Sequence, residues 1–176
     1  NSGTGFDPAY VAGHARTASS RTDFVADFYS EQYADYAADF VCCKMTLEHI
    51  AEPLEFVQTV RRPIGNCNAT TVFFQVPDTQ RVLDETAFWD VYYEHCSYFT
   101  EASLVHLFES AAFDVQAVWR DYDDQYLMLV ATPSSASVTT RTPSRDETIA
   151  TRGFGDRAST RIDWWRGRLS GLNRAG

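Results

Sequence analysis

The stretch that decides the fold is "DFVCCKMTLEHIAEPLEFVQTVRRPIG", residues 39–65. Asp39 to Met45 form a short, nearly continuous apolar run, the pattern of a strand covered on both faces. Adjacent Cys42 and Cys43 point to opposite faces of such a strand and read as small, reduced core residues. After "TLEHIAEP" the period changes. Leu54, Val57, Val60 and Ile64 recur at helical spacing, with Pro53 suited to the first turn and Pro63 expected to end the helix. A strand, a polar turn and a helix are half of a βαβ unit, and the chain is read outward from there.

Downstream, "ATTVFFQVP" (69–77) is rich in β-branched and aromatic residues and predicts a second buried strand. "TEASLVHLFESAAF" offers Thr100 as N-cap, Glu101 in the first turn and a stripe of Leu104, Leu107, Phe108 and Ala111. "FDVQAVWRD" and "DQYLMLVATP" predict two strands close enough to pair antiparallel through "DYDD". Upstream, "GFDPAY" reads as a strand end running into a turn at Asp7-Pro8, and "TDFVADFYS" as another short strand. The expectation is an α/β domain over 1–133, with a mostly parallel sheet closed by an antiparallel C-terminal edge hairpin. Residues 134–160, rich in Ser, Thr and Arg, read as a linker. Residues 161–176 resume an amphipathic pattern through Ile162, Trp165, Leu169 and Leu172.

Composition narrows the function. A hydrophobic share of 44% with 12 Phe, 9 Tyr and 4 Trp supplies a real core and excludes wholesale disorder. The net charge of −9 argues against nucleic-acid backbones as partners, and no apolar run is long enough to span a membrane. The cysteines, at 42, 43, 67 and 96, contain no C-x-x-C pair, which points to a reducing cytoplasm and away from a cysteine zinc site. No motif specifies an oligomeric state.

Chemistry concentrates in "DVYYEHCSYFT", residues 90–100. His95 has the titration range of a general acid or base, Glu94 beside it is able to orient an imidazole or a substrate, and Tyr92 to donate to a developing oxyanion. The competing reading makes Trp89, Tyr93, Tyr98 and Phe99 a hydrophobic lid with two incidental charges. Both fit the residues. The two "EH" pairs, Glu48-His49 and Glu94-His95, also raise a metal reading. It ranks below acid–base chemistry, because adjacent residues rarely ligate one ion and no H-E-x-x-H spacing is present, so no metal ligand is assigned.

The order of "GFDPAY", "DFVCCKMTLEHIAEPLEFVQTVRRPIG", "VFFQVPD", "FWDVYYEHCSYFTEASLVHLF" and "DDQYLMLVATP" resembles the class I S-adenosylmethionine-dependent methyltransferases. It is most similar to the sugar C-methyltransferases that act on nucleotide-linked keto sugars. The resemblance implies a Rossmann-like methyltransferase sheet and S-adenosylmethionine as cofactor. By it, Asp7 would hold the cofactor ribose, Asp27 would meet the adenine amine and Phe28 would pack on the ring. Cys43, Lys44 and Met45 would border the methionine portion, and His49 is counted with the cofactor site. His95 would remove a proton from the carbon beside the sugar ketone, with Tyr92 and Glu94 stabilising the enolate or fixing the sugar. The family's G-x-G-x-G loop does not precede Gly5, so the expectation is an incomplete sheet truncated at both ends, with the last helix leading toward a further domain. The alternative is a non-catalytic remnant or interaction module that keeps the sheet.

Overall fold

A computed structural model of the chain describes residues 2–12, 21–65, 69–134 and 151–173. They form two compact units, Asn1–Ala37 and Ala38–Gly176. Cys67 and most of the segment read as a linker lie outside the described residues.

In the first unit, strand β1 (Gly3–Phe6) pairs in parallel with β2 (Thr22–Val25). Gly5 sits opposite Phe24, and a Cβ there would stand 2.8 Å from the Phe24 ring. The missing side chain lets that ring lie flat over the strand, stacked on Tyr10 at 4.7 Å. Phe6 gathers Tyr29, Tyr33 and Tyr36 at ring separations of 5.1, 4.7 and 5.4 Å. Aromatic contacts thus build this small unit, which is too short for a large aliphatic core.

The second unit holds β3 (Phe40–Lys44), α1 (Pro53–Ile64), β4 (Thr71–Pro77), α2 (Thr79–Glu85), α3 (Glu101–Ser110), β5 (Phe113–Asp121), β6 (Tyr126–Pro133) and α4 (Phe154–Asn173). The sheet order is β3-β4-β6-β5. β3 and β4 run parallel, whereas β6 is antiparallel to both β4 and β5. The α/β expectation and the terminal hairpin hold. "Mostly parallel" does not, because the hairpin's second strand inserts beside β4 and two of the three pairings in this sheet are antiparallel.

The core follows from alternation. Val72, Phe74 and Val76 of β4 and Leu127, Leu129 and Ala131 of β6 are fully buried. Phe74 meets Phe108 of α3 edge-on at 4.8 Å, and Phe108 meets Phe113 at 5.6 Å. Thr100 caps α3 by accepting from Ser103 N–H, while Ser103 Oγ accepts from Thr100 N–H, a reciprocal capping box. Arg61 ties the end of α1 to two turns, its Nε donating to Ala112 O and its Nη2 to Ser134 O.

Four details depart from the sequence reading. β3 is the edge strand of its sheet and Cys42 is exposed, so this run is not covered on both faces. Pro63 lies inside α1, which ends at Gly65 with φ of 55°. In the last turn proline forgoes one i to i−4 hydrogen bond just before the helix stops, and glycine supplies the positive φ of that stop. Leu54 is exposed, and the buried face of α1 takes Thr59 beside Val57, Val60 and Ile64. α4 begins at Phe154 rather than at 161. It docks on α2 through Arg157, whose Nη2 donates to Leu83 O and whose Nε donates to Thr86 Oγ1, and through Arg161, which donates to Glu85 O.

Helix α2, too short to announce itself by periodicity, starts at Asp78. This aspartate is 1% exposed, and its Oδ1 accepts from Gln80 N–H. Its Oδ2 takes Arg120 Nε at 2.6 Å, while its backbone bridges to Phe99 and donates to Gln125 O. Asp78→Ala removes a cap and a charge-assisted hydrogen bond, and is expected to cost roughly 2–3 kcal/mol in urea unfolding. A loss below about 0.5 kcal/mol, the ordinary size of a surface change, would show that the aspartate does not organise this edge. Phe108→Ala empties the aromatic contact between sheet and helix and should cost about 3–5 kcal/mol by the same measurement; near-neutrality would place the core elsewhere.

Candidate functional site

Open α/β sheets present ligands at the carboxyl ends of their parallel strands, and the second unit is built to do so after β3 and β4. β3 ends at Lys44, and Met45 turns the chain with a left-handed φ of 50° while its N–H still donates to Gln75 O. Such backbone strain in a non-glycine residue recurs at functional sites. Thr46 Oγ1 donates to Lys44 O, closing the turn. Leu47–His49 then form one turn of 3-10 helix, with Leu47 fully buried as its anchor.

That turn is fastened to the 90–100 stretch. Cys96 N–H and Ser97 N–H both donate to Glu48 O, at 2.8 and 3.1 Å. Cys96 Sγ approaches His49 O at 3.4 Å. His49 Nδ1 lies 3.1 Å from Glu94 O. A carbonyl only accepts, so Nδ1 carries a hydrogen, and in the neutral ring the lone pair of His49 is on Nε2. The two "EH" pairs, far apart in sequence, are neighbours in space: the His49 and His95 rings are 4.9 Å apart and nearly perpendicular.

Glu94 acts here through its backbone, and on His49. His95 is instead enclosed by rings, with Tyr92 at 5.0 Å and Tyr98 at 5.7 Å. Tyr98 holds Tyr92 in place by accepting from its N–H at 3.1 Å and donating to its carbonyl at 3.2 Å. Burial, and then the nearby charge of His49, hold the His95 imidazole below its ordinary range, against the opposing pull of Glu94. The ring is therefore neutral near pH 7, the form that accepts a proton. Its Nδ1 is buried without a hydrogen-bond partner among the described residues.

Beneath the turn, Glu48 is 1% exposed, and neither of its carboxylate oxygens has a hydrogen-bond partner among the described residues. Burial pushes its carboxyl above the usual range, a trend that its own nearby backbone N–H, which forms no hydrogen bond with it, and the charge of His49 oppose. A cavity of about 280 Å³ opens above these groups. Met45, His49, Tyr92, Glu94 and His95 line one part of it, and Pro77, Arg81, Val82, Asp90, Gln125 and Tyr126 the rest. Arg81 Nη1 pairs with Asp90 Oδ2 at 2.7 Å on that wall. This is close to the lower end of the roughly 300–1,000 Å³ of small-molecule sites.

The sequence reading missed Arg81, Gln125 and Tyr126, which no motif marks and which reach the cavity through α2 and the hairpin, and it gave no role to Asp90 at the head of the 90–100 stretch. It also missed the structural part of Tyr98. The lid reading fits poorly at Tyr93, which is 100% exposed, but holds for Phe99, which is buried.

The residues matched to the cofactor divide between the units. In the first, Asp7 is exposed; its Oδ1 accepts from Ala9 N–H at 2.8 Å, and its other oxygen has no partner among the described residues. Asp27 accepts from Phe28 N–H, Gln32 Nε2 and Tyr33 OH, and the Tyr33 hydroxyl foremost holds its carboxyl below the usual range. Phe28 is 68% exposed, a ring face that the unit's own packing does not use. In the second unit, Cys43 is half-buried and its thiol is pushed up to about 12, chiefly by burial, so it stays neutral. Lys44, Met45 and His49 follow along the same strand end and turn.

Comparison with known proteins bears on the fold and the family. A chain of the complex between the Haloferax volcanii Trm112 methyltransferase activator and a methyltransferase superposes with a TM-score of 0.57 at 14% identity, covering 77% of this chain and 73% of that one. Methyltransferase CalO6 gives 0.54 at 22% identity, over 74% of this chain and 48% of its own. The N,N-8-amino-8-demethyl-D-riboflavin dimethyltransferase RosA of Streptomyces davawensis gives 0.53 at 14%, over 65% and 35%. The chain thus spans less than half the length of the last two. A search of curated protein sequences finds no match. These likenesses establish an α/β, Rossmann-like fold. Residues 2–118 match the family model described as "Methyltransferase domain". With two thirds of its length inside that model, the chain belongs to the methyltransferase-domain family.

Proposed function

We propose that this chain belongs to an S-adenosylmethionine-dependent C-methyltransferase acting on a nucleotide-linked keto sugar or a similar small metabolite. The observation that carries the reading is His95: a neutral, half-buried imidazole beside a tyrosine, lining a cavity at the carboxyl ends of two parallel strands. A hydrogen on carbon next to a ketone is removed by a base on the carbon side and a donor on the oxygen side. His95 takes the proton. Tyr92 donates to the oxygen as negative charge develops there, and Glu94, exposed at the cavity, accepts from sugar hydroxyls.

S-adenosylmethionine, the cofactor that follows from family membership, supplies an electrophilic methyl on a positive sulfonium. The carbon nucleophile generated by His95 needs little beyond alignment with it. Asp7, Asp27 and Phe28 are assigned to ribose and adenine, and Cys43, Lys44, Met45 and His49 to the methionine end. The net charge of −9 suits a cationic cofactor.

Calorimetric titration with S-adenosylmethionine and S-adenosylhomocysteine tests the cofactor assignment directly. Saturable binding is expected, and Phe28→Ala should weaken it about tenfold, as loss of one stacking face does. Absence of heat with both ligands would leave a cofactor-free module as the correct reading.

The base is tested by proton exchange. With a nucleotide-linked keto sugar in D₂O, the chain should catalyse deuterium entry beside the ketone, and His95→Ala should slow it by roughly 10²–10⁴-fold while cofactor affinity stays within about twofold. Unchanged exchange in that variant removes His95 from the chemistry.

A further inference from the structure

Glu48, His49 and His95 each bring one candidate ligand atom into a group whose members all lie within 4.8 Å of one another. Adjacent residues rarely reach one ion from a strand or a helix, but Glu48 and His49 lie in a tight 3-10 turn clamped to the segment that carries His95. Three features point to a ligand. Glu48 is 1% exposed with both carboxylate oxygens unpartnered, which is costly for a polar group in an apolar setting unless something compensates it. His49 donates Nδ1–H to the Glu94 carbonyl, the outer contact that ligating histidines commonly make and one that leaves Nε2 with a free lone pair. His95 Nδ1 is likewise buried and unpartnered.

We infer that Glu48, His49 and His95 form a binding site for a borderline divalent transition cation, with Zn²⁺ as the fitting ion. Two imidazoles and one carboxylate are a donor set for zinc and its neighbours in the first transition row, whereas magnesium and calcium take oxygen ligands. Bond lengths near 2.1 Å place tetrahedral ligands about 3.4 Å apart, so small side-chain rotations bring this group into range. His49 and His95 line the cavity, which leaves the fourth position open to water or to a small molecule. The cation supplies the counter-charge that the buried carboxylate lacks. Binding requires neither cofactor nor sugar. Its consequence rests on the proposed function: a metal-bound imidazole has no lone pair for a proton, so zinc occupancy withdraws the base.

The test uses the full chain, metal-stripped, titrated with Zn²⁺ against a chromophoric chelator and with Co²⁺ followed by visible absorption. One equivalent is expected, with an intense four-coordinate cobalt spectrum and a raised melting temperature in zinc; Mg²⁺ should give none of these. His49→Ala and His95→Ala should each weaken zinc binding at least about tenfold. Glu48→Gln keeps shape and removes the charge, so it should weaken zinc binding in a protein whose circular dichroism is unchanged. No stoichiometric binding overturns the site. So does binding that survives all three changes together, which would locate the metal elsewhere on the chain. Because the readout is metal affinity, its failure leaves the proton-exchange test untouched, and the converse holds as well.

Discussion

One backbone carbonyl organises the functional edge of this protein. Glu48 O accepts from both Cys96 N–H and Ser97 N–H, and that pair of bonds brings a turn after β3 against a loop that is nearly fifty residues later. The contact is between main-chain groups, so it sets position without demanding particular side chains. Those on either side are then free to carry chemistry. His49 and His95 come ring to ring, Glu48 is carried underneath, and Tyr92 and Tyr98 close the flank. A half-buried imidazole in such a setting stays uncharged near neutrality because desolvation and a like neighbour both oppose protonation.

The second constraint is Asp78. A buried carboxylate must be paired, and here a helix cap and an arginine from the hairpin do so together. Since the same residue bridges to Phe99 and to Gln125, the end of β4, the 90–100 loop, α2 and the hairpin meet at one point. The cavity lies where they meet, which is why its walls come from elements that share no motif. Arg120 is 38% exposed, so solvent screening reduces what its charge adds, and the hydrogen-bond geometry matters more.

The two roles open to His95 are connected rather than independent. A lone pair that takes a proton from carbon is of the same kind as one that binds zinc, and both uses need the ring neutral. With a buried carboxylate and a second imidazole beside the base proposed at His95, the proposed metal would compete with the proposed substrate chemistry.

Much was legible in the sequence because it is local. β-Branched and aromatic runs marked β4, two such runs joined by "DYDD" marked the hairpin, the Thr100 cap marked α3, and Asp7-Pro8 marked the turn after β1, since each depends on residues a few positions apart. The motifs of the methyltransferase family could be read for the same reason. What the tertiary structure decided is pairing at a distance. It made β3 an edge strand although its residues are apolar, inserted β6 beside β4, and gave Glu94's carbonyl, not its carboxylate, the task of holding an imidazole. It also joined two "EH" pairs into one cluster. Periodicity reports which face a residue shows to its own element; which groups meet across elements is fixed by sheet order and by hydrogen bonds between backbones, and a linear pattern carries no record of either.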